Sequence, residues 1–147
     1  MSHTYSANFA HLVFSTKERK GLILTELQPN LFAYLGGTLR KLGSTMLTIG
    51  GTPNHVHILI KVPPTARLAE IVQKVKGSSS HWLGKQGVTF EWQQGYGAFS
   101  VSPSMVSTVQ AYIEGQEEHH RKRNYEAEFL ALLRKSGVEC SPREALG

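Results

Sequence analysis

Apolar residues recur along this chain with two periods, and the switches between them lay out the elements. Phe9-Ala10-His11-Leu12-Val13-Phe14 is rich in β-forming residues and predicts a first strand, closed by the polar, basic loop of residues 15–20. That loop reads equally as a solvated turn or as a contact to a DNA backbone. Between residues 25 and 42, Leu27, Leu31, Leu35 and Leu39 repeat at i, i+4, with Phe32 and Leu42 alongside. This is the stripe of an amphipathic helix, stopped by Gly43, with Tyr34 as a packing residue. Residues 44–50 predict a second strand. Gly50-Gly51-Thr52-Pro53-Asn54 then supplies turn chemistry before the strand-like run His55-Val56-His57-Ile58-Leu59-Ile60-Lys61-Val62. The two strands form an antiparallel hairpin with a loop of several residues, the histidine strand is central, and Pro63-Pro64 ends the pairing.

A second helix follows, capped by Thr65, with Leu68, Ile71, Val72 and Val75 buried. Arg67, Lys74, Ser78, His81 and Lys85 fall near another single face, basic and polar, which serves either solvation or phosphate contact. Residues 85–97 are interrupted by Gly and Gln and read as a loop with Phe90, Trp92 and Tyr96 exposed, after which residues 96–100 return as a strand. Those rings either stack unpaired bases or plug a core edge. Ser102-Pro103 marks a helix start, with Val106, Val109 and Ile113 turned inward, Tyr112 and Gln116 on an adjoining face, and Gly115 within the helix. Asn124 caps a last helix carrying Phe129, Leu130, Leu132 and Leu133, ended by Gly137, and residues 138–147 form a loosely ordered polar tail.

Strand, helix, strand, strand, helix, strand is the split βαβ order, so the expected fold is α+β: one domain over residues 1–147, a ferredoxin-like, RRM-like antiparallel sheet with helices packed on it. With 40% hydrophobic and 18% charged residues the chain is neither disordered nor membranous. The lone Cys140 and the absence of an export-like N-terminal stretch fit a reducing cytoplasm. A net charge of +5 favours a polyanionic partner.

His55 and His57 carry the chemistry. On a strand they share one face about 7 Å apart, close enough for both imidazoles to turn onto one cation, while Val56 and Ile58 face the core. About one hundred residues into the chain, Tyr112 and Gln116 share a helical face at i, i+4, and His119 and His120 extend it, offering a rival ligand set of His55, His57 and one of these two.

Together these residues resemble the single-tyrosine transposases of the insertion-sequence 200/605 type, within the His-hydrophobic-His (HUH) nucleases. The resemblance spans roughly residues 5–137. It includes Asn54, the Lys76-Gly77-Ser78-Ser79 run, Gly97-Ala98-Phe99-Ser100-Val101-Ser102 and the pair His119-His120, and it fails in the polar tail. It implies that His55, His57 and Gln116 hold a divalent metal and that Tyr112, on a C-terminal helix lying across the sheet, attacks DNA. Two imidazoles and an amide oxygen leave positions open for phosphate and water, which suits Mg2+ or Mn2+. The resemblance further implies single-stranded DNA hairpins at element ends as partners, a 5′-phosphotyrosine intermediate, and a homodimer. Arg67, Lys74, Lys76, Ser78, Lys85, Arg121, Lys122 and Arg123 are the candidate DNA contacts.

Three other readings compete. A His-x-His metallohydrolase would use water with His119 or His120 as third ligand. A non-catalytic single-strand-binding module would use the aromatics and basic residues alone. A domesticated relative would keep the chemistry and act on chromosomal repeats. A histidine-triad hydrolase is disfavoured because the third alternating position is Leu59, and no phosphate-binding Gly-x-x-x-x-Gly-Lys loop is present.

Overall fold

The computed structural model describes residues 3–120 and 123–146, apart from the side chains of Glu117 and His119. Four strands, β1 (Phe9–Ser15), β2 (Thr45–Thr52), β3 (His55–Lys61) and β4 (Gly97–Val101), form an antiparallel sheet in the order β2-β3-β1-β4. Helices α1 (Gln28–Lys41) and α2 (Leu68–Lys85) complete the split βαβ pattern. The fold is therefore the α+β antiparallel sheet expected from the order of elements, with β3 and β1 at its centre.

Strand alternation divides the sheet into two faces. Ala10, Leu12, Phe14, Val56, Ile58 and Ile60 pack against Leu31, Leu35 and Leu39 of α1 and Ile71, Val72 and Val75 of α2. Full burial of each of the Leu, Ile, Val and Phe side chains is worth roughly 1.5–3 kcal/mol relative to exposure. The opposite face is covered by α3 (Val106–Glu114), α4 (Gln116–His120) and α5 (Tyr125–Lys135), through Ile113 on Leu59 and through Tyr125, Phe129 and Leu133 around Val13 and Phe99. Both faces of β3 are buried as a result, with only Lys61 at its end exposed. Among the described residues no helix is long and apolar enough to cross a membrane.

Several boundaries differ from the sequence pattern, each for a local reason. The hairpin is tighter than expected, because Thr52 pairs with His55 across only Pro53 and Asn54. Helix α1 begins at Gln28 with Pro29 in its first turn, not at Thr25. Helix α2 begins at Leu68, with Arg67 in extended backbone at the cap position, so Thr65 caps nothing. Pro103 opens a 3-10 turn, and the α-helix proper starts at Val106. The helix carrying Tyr112 ends at Glu114, and a separate short helix begins at Gln116, making Gly115 a break between two helices.

Phe90 and Trp92 are not exposed. They are 9% and 8% accessible and join the main core, where the Trp92 indole N–H donates to Ser79 Oγ at 2.9 Å. Their segment is tied down by Lys76, whose ammonium donates to the carbonyls of Gln93 and Gly95 at 2.6 and 2.8 Å. Tyr96 alone of the three rings stays partly open. Asn124 caps α5 as expected, its side chain accepting from Ala127 N at 2.9 Å. Residues Pro142–Leu146 form a short helix, α6, whose Ala145 and Leu146 pack near α5.

Candidate metal and nucleophile site

The histidines sit on the sheet face covered by the C-terminal helices, and both are fully buried. Three devices bring the tyrosine helix down onto them. A register shift between Met46 and Thr48 re-aims β2, so that Leu47 and Thr48 both turn toward α3, where Thr48 Oγ1 donates to Glu114 at 3.3 Å. Gly50, paired with His57, then lies directly under α3: a Cβ there would come within 2.0 Å of the Ile113 carbonyl oxygen. Finally the break at Gly115 lets Gln116 dip inward until it is 1% accessible.

Around the histidines a dense polar cluster forms in an otherwise apolar layer. His55 Nε2 lies 3.2 Å from Gln116 Oε1 and 3.6 Å from Glu128 Oε1. His57 Nε2 and His120 Nε2 lie 2.9 and 3.1 Å from the same Glu128 oxygen. The other Glu128 oxygen accepts from the Tyr112 hydroxyl. Ligand atoms of His55, His57, His120 and Glu128 all fall within 4.8 Å of one another.

Hydrogen-bond chemistry assigns the ring protons. Asn54 Oδ1, a pure acceptor, lies 2.8 Å from His55 Nδ1, so that nitrogen carries the proton and Nε2 presents its lone pair to the Gln116 oxygen. Two acceptors 3.2 Å apart repel unless a cation lies between them. His57 has the opposite tautomer, since Nε2 donates to the Glu128 carboxylate and Nδ1 accepts from His11 Nε2 at 2.8 Å. Burial lowers the pKa of both His11 and His55 to about 3, helped by the neighbouring His57, so both rings are neutral. Burial also raises the Tyr112 pKa well above the usual phenol value, and its bond to Glu128 adds to this. At Glu128 burial acts upward, but donation from His120, His57 and Tyr112 outweighs it and holds the carboxyl well below its ordinary range.

Neutral imidazoles, an amide oxygen and a buried carboxylate, one acceptor pair facing each other, fit a divalent cation. His55, His57, Gln116 and Tyr112 are thus brought together. His11 and Glu128 were not singled out from sequence, although each carried a faint signal. His11 shares the alternation of Phe9 and Val13 in a strand buried on both faces, and Glu128 stands among Tyr125, Phe129 and Leu132 on the apolar face of α5.

The basic candidates are dispersed. Arg67 at the N-cap of α2 and Lys74 and Lys85 on it are exposed, across the sheet from the histidines, with Arg67 3.9 Å from Glu70. Lys76 is occupied with the 93–95 carbonyls. Ser78 Oγ is buried without a hydrogen bond among the described residues. Arg123 lines a cavity of about 690 Å3, together with Tyr112, Glu128, Phe99, Met105 and Lys135, that opens the site to solvent. Arg121, Lys122 and the His119 side chain lie outside the described residues.

Comparison with known proteins identifies the family. The chain is 25% identical over 121 residues to the ISDra2 transposase TnpA of Deinococcus radiodurans, an alignment covering 74% of this chain and 83% of that protein. A crystal structure of a candidate transposase from Deinococcus radiodurans R1 superposes with a TM-score of 0.62 at 22% identity, over 79% of this chain and 96% of the other. A REP-associated tyrosine transposase bound to a REP hairpin superposes at 0.63 and 15% identity, over 82% and 74%. The model of the family described as "Transposase IS200 like" matches residues 4–116. The chain belongs to the IS200-like transposase family.

Proposed function

We propose that this chain cleaves and rejoins single-stranded DNA at hairpin-bearing ends through a 5′-phosphotyrosine on Tyr112, with a divalent metal, Mg2+ or Mn2+, held by His55, His57 and Gln116. The observation that carries the reading is the convergence of the two imidazoles, the amide oxygen and the tyrosine hydroxyl on one buried cluster. When bound, the metal supplies Lewis acidity at a non-bridging phosphate oxygen. Asn54 fixes the ring of His55 with its lone pair inward, and Gln116, buried at the start of α4, keeps its oxygen opposite. Tyr112, half-buried at the wall of the cavity, offers its hydroxyl where a DNA strand enters.

In the covalent step the Tyr112 oxygen bonds to phosphorus and the P–O3′ bond breaks. The tyrosine loses a proton as the leaving 3′-oxygen gains one, so the step is proton-neutral. A phosphodiester persists throughout, and attack by another 3′-hydroxyl reverses the chemistry on a new partner without external energy. One such tyrosine per chain and two cleavages per excised segment make a homodimer the economical assembly. Arg123 is placed to meet the phosphate of the entering strand, and Arg67, Lys74 and Lys85 are accessible to a hairpin stem. The hairpin carried by one structural neighbour supports a second reading with the same chemistry, in which the substrate is a chromosomal repeat.

The test incubates the protein with hairpin oligonucleotides from the DNA flanking its gene, with Mg2+, Mn2+ or chelator, and resolves the products on denaturing gels. A covalent band that needs metal and disappears in Tyr112→Phe and His55→Ala is the expected result. Metal-dependent cleavage without a covalent band would replace this reading with a metallohydrolase. Binding without cleavage on every substrate would replace it with a binding module.

A further inference from the structure

Glu128 lies outside both the histidine strand and the segment matched by the family model, which ends at residue 116. Its burial has no counterpart in ordinary core packing. It is an acid 3% accessible on the apolar face of a helix, between Tyr125 and Phe129, reached by three imidazoles and a phenol. Burying a carboxylate is costly unless it is fully paired, so a device of this kind persists where it performs a task.

We propose that Glu128 is an additional ligand of the same divalent cation and couples it to the nucleophile: one carboxylate oxygen binds the metal beside His55 and His57 while the other holds the Tyr112 hydroxyl. The inference rests on the metal-dependent reading above and extends its ligand set. Adjacent ligands about 2.1 Å from an octahedral Mg2+ or Mn2+ stand roughly 3 Å apart. Glu128 Oε1 lies 2.9 Å from His57 Nε2 and 3.6 Å from His55 Nε2, and Gln116 Oε1 lies 3.2 Å from the latter, so these three separations are near the edge length of a coordination shell, which His57 joins once its proton moves off Nε2. Two positions then remain for phosphate and water. His120, at 3.1 Å from Glu128 Oε1, orients the carboxylate from outside the shell. A carboxylate also adds the negative charge that two neutral imidazoles and an amide lack, which suits a hard cation. Because the two oxygens of Glu128 belong to one rigid group, a cation held by one of them would fix the direction from which the Tyr112 hydroxyl, held by the other, faces it.

Mn2+ binding to the full chain, followed by EPR titration, tests this on wild type, Glu128→Gln, Glu128→Asp and Gln116→Ala, with thermal melts to verify folding. Glu128→Gln keeps the shape and removes the charge. It is expected to weaken Mn2+ binding by about 10- to 100-fold, and to slow adduct formation by about tenfold or more even at saturating Mn2+. Glu128→Asp retains the charge that the imidazoles pair with, should fold where the Gln variant does not, and cannot span both partners, so it too is expected to bind Mn2+ more weakly. Wild-type Mn2+ affinity in either folded variant, alongside loss of affinity in Gln116→Ala, would overturn the role of Glu128 and leave the metal-dependent reading standing. Failure of the wild-type protein itself to bind Mn2+ would overturn both.

Discussion

Gly50→Ala should cripple strand transfer without touching a single group that contacts DNA. The added methyl would sit 2.0 Å from the Ile113 carbonyl oxygen and 3.0 Å from its carbon, both backbone atoms that no rotamer change can remove. Bringing the oxygen contact to even 3.0 Å, the lower bound of tight contact, requires α3 to withdraw from β2 by about 1 Å. Tyr112 precedes Ile113 on that helix and would withdraw with it, away from histidines held on β3. A displacement of about 1 Å in a reacting group costs on the order of 100-fold in rate, and overpacking of this kind costs roughly 1–3 kcal/mol of stability. Single-turnover adduct formation on a hairpin substrate, paired with thermal melting and Mn2+ affinity, separates the two effects. The expected pattern is a modest fall in melting temperature, a rate lower by about two orders of magnitude, and Mn2+ binding that persists through His55 and His57 but is weakened by the displacement of Gln116, which follows α3 directly. A Gly50→Ala protein that transfers strands at the wild-type rate would refute the argument that this contact sets the position of the nucleophile.

Other outcomes follow from the same geometry. His57 must move its proton from Nε2 to Nδ1 to ligate a metal, and His11 must shift its own proton from Nε2 to Nδ1 to change from donor to acceptor, so His11→Phe should weaken Mn2+ binding by about 10- to 100-fold in a calorimetric titration while the fold survives. Lys76→Met should release the 93–95 carbonyls, lower stability by roughly 1–3 kcal/mol in denaturant melts, and expose the Gln93-Gln94 backbone to hydrogen exchange. Because His11 and His55 have folded pKa values near 3, below the unfolded value of 6.5, the unfolded chain binds more protons in acid; stability is full above pH 6.5 and is lost as pH falls toward 3. Each histidine should cost roughly 2 kcal/mol by pH 5 in chemical denaturation, and a flat profile between pH 7 and 5 would contradict the neutral, buried assignment.

The parts legible in the sequence were those in which one local pattern has one meaning. Period-2 alternation around His55 and His57, bounded by Pro53-Asn54 and Pro63-Pro64, identifies a strand and the face its histidines share. Strand and helix order then identifies the sheet. Contacts made by a residue that breaks its own pattern were not legible. His11 and Glu128 are single polar residues on apolar faces, and only closure of α5 over the sheet reveals that both point into the histidine cluster. Likewise Phe90 and Trp92 sit in a stretch without regular structure, and their burial depends on Lys76 tying that stretch to α2, a contact between residues 17 to 19 positions apart. Of the basic face expected on α2, Lys74, His81 and Lys85 are exposed with Arg67 at the cap while the Ser78 hydroxyl is buried, and periodicity cannot tell on which side of a sheet a helix packs.

The central claim is that Tyr112 becomes covalently joined to DNA. Tyr125 is the natural rival, since its ring lies 4.8 Å from that of His55, but it is 2% accessible and its hydroxyl donates to Gln93 at 3.2 Å. Peptide mass spectrometry of an adduct trapped on a hairpin oligonucleotide in Mn2+, after nuclease trimming, decides between them. A nucleotide mass on the peptide carrying Tyr112, absent when metal is chelated, is the predicted result; a nucleotide on Tyr125, or cleaved DNA with every tyrosine unmodified, would contradict the account.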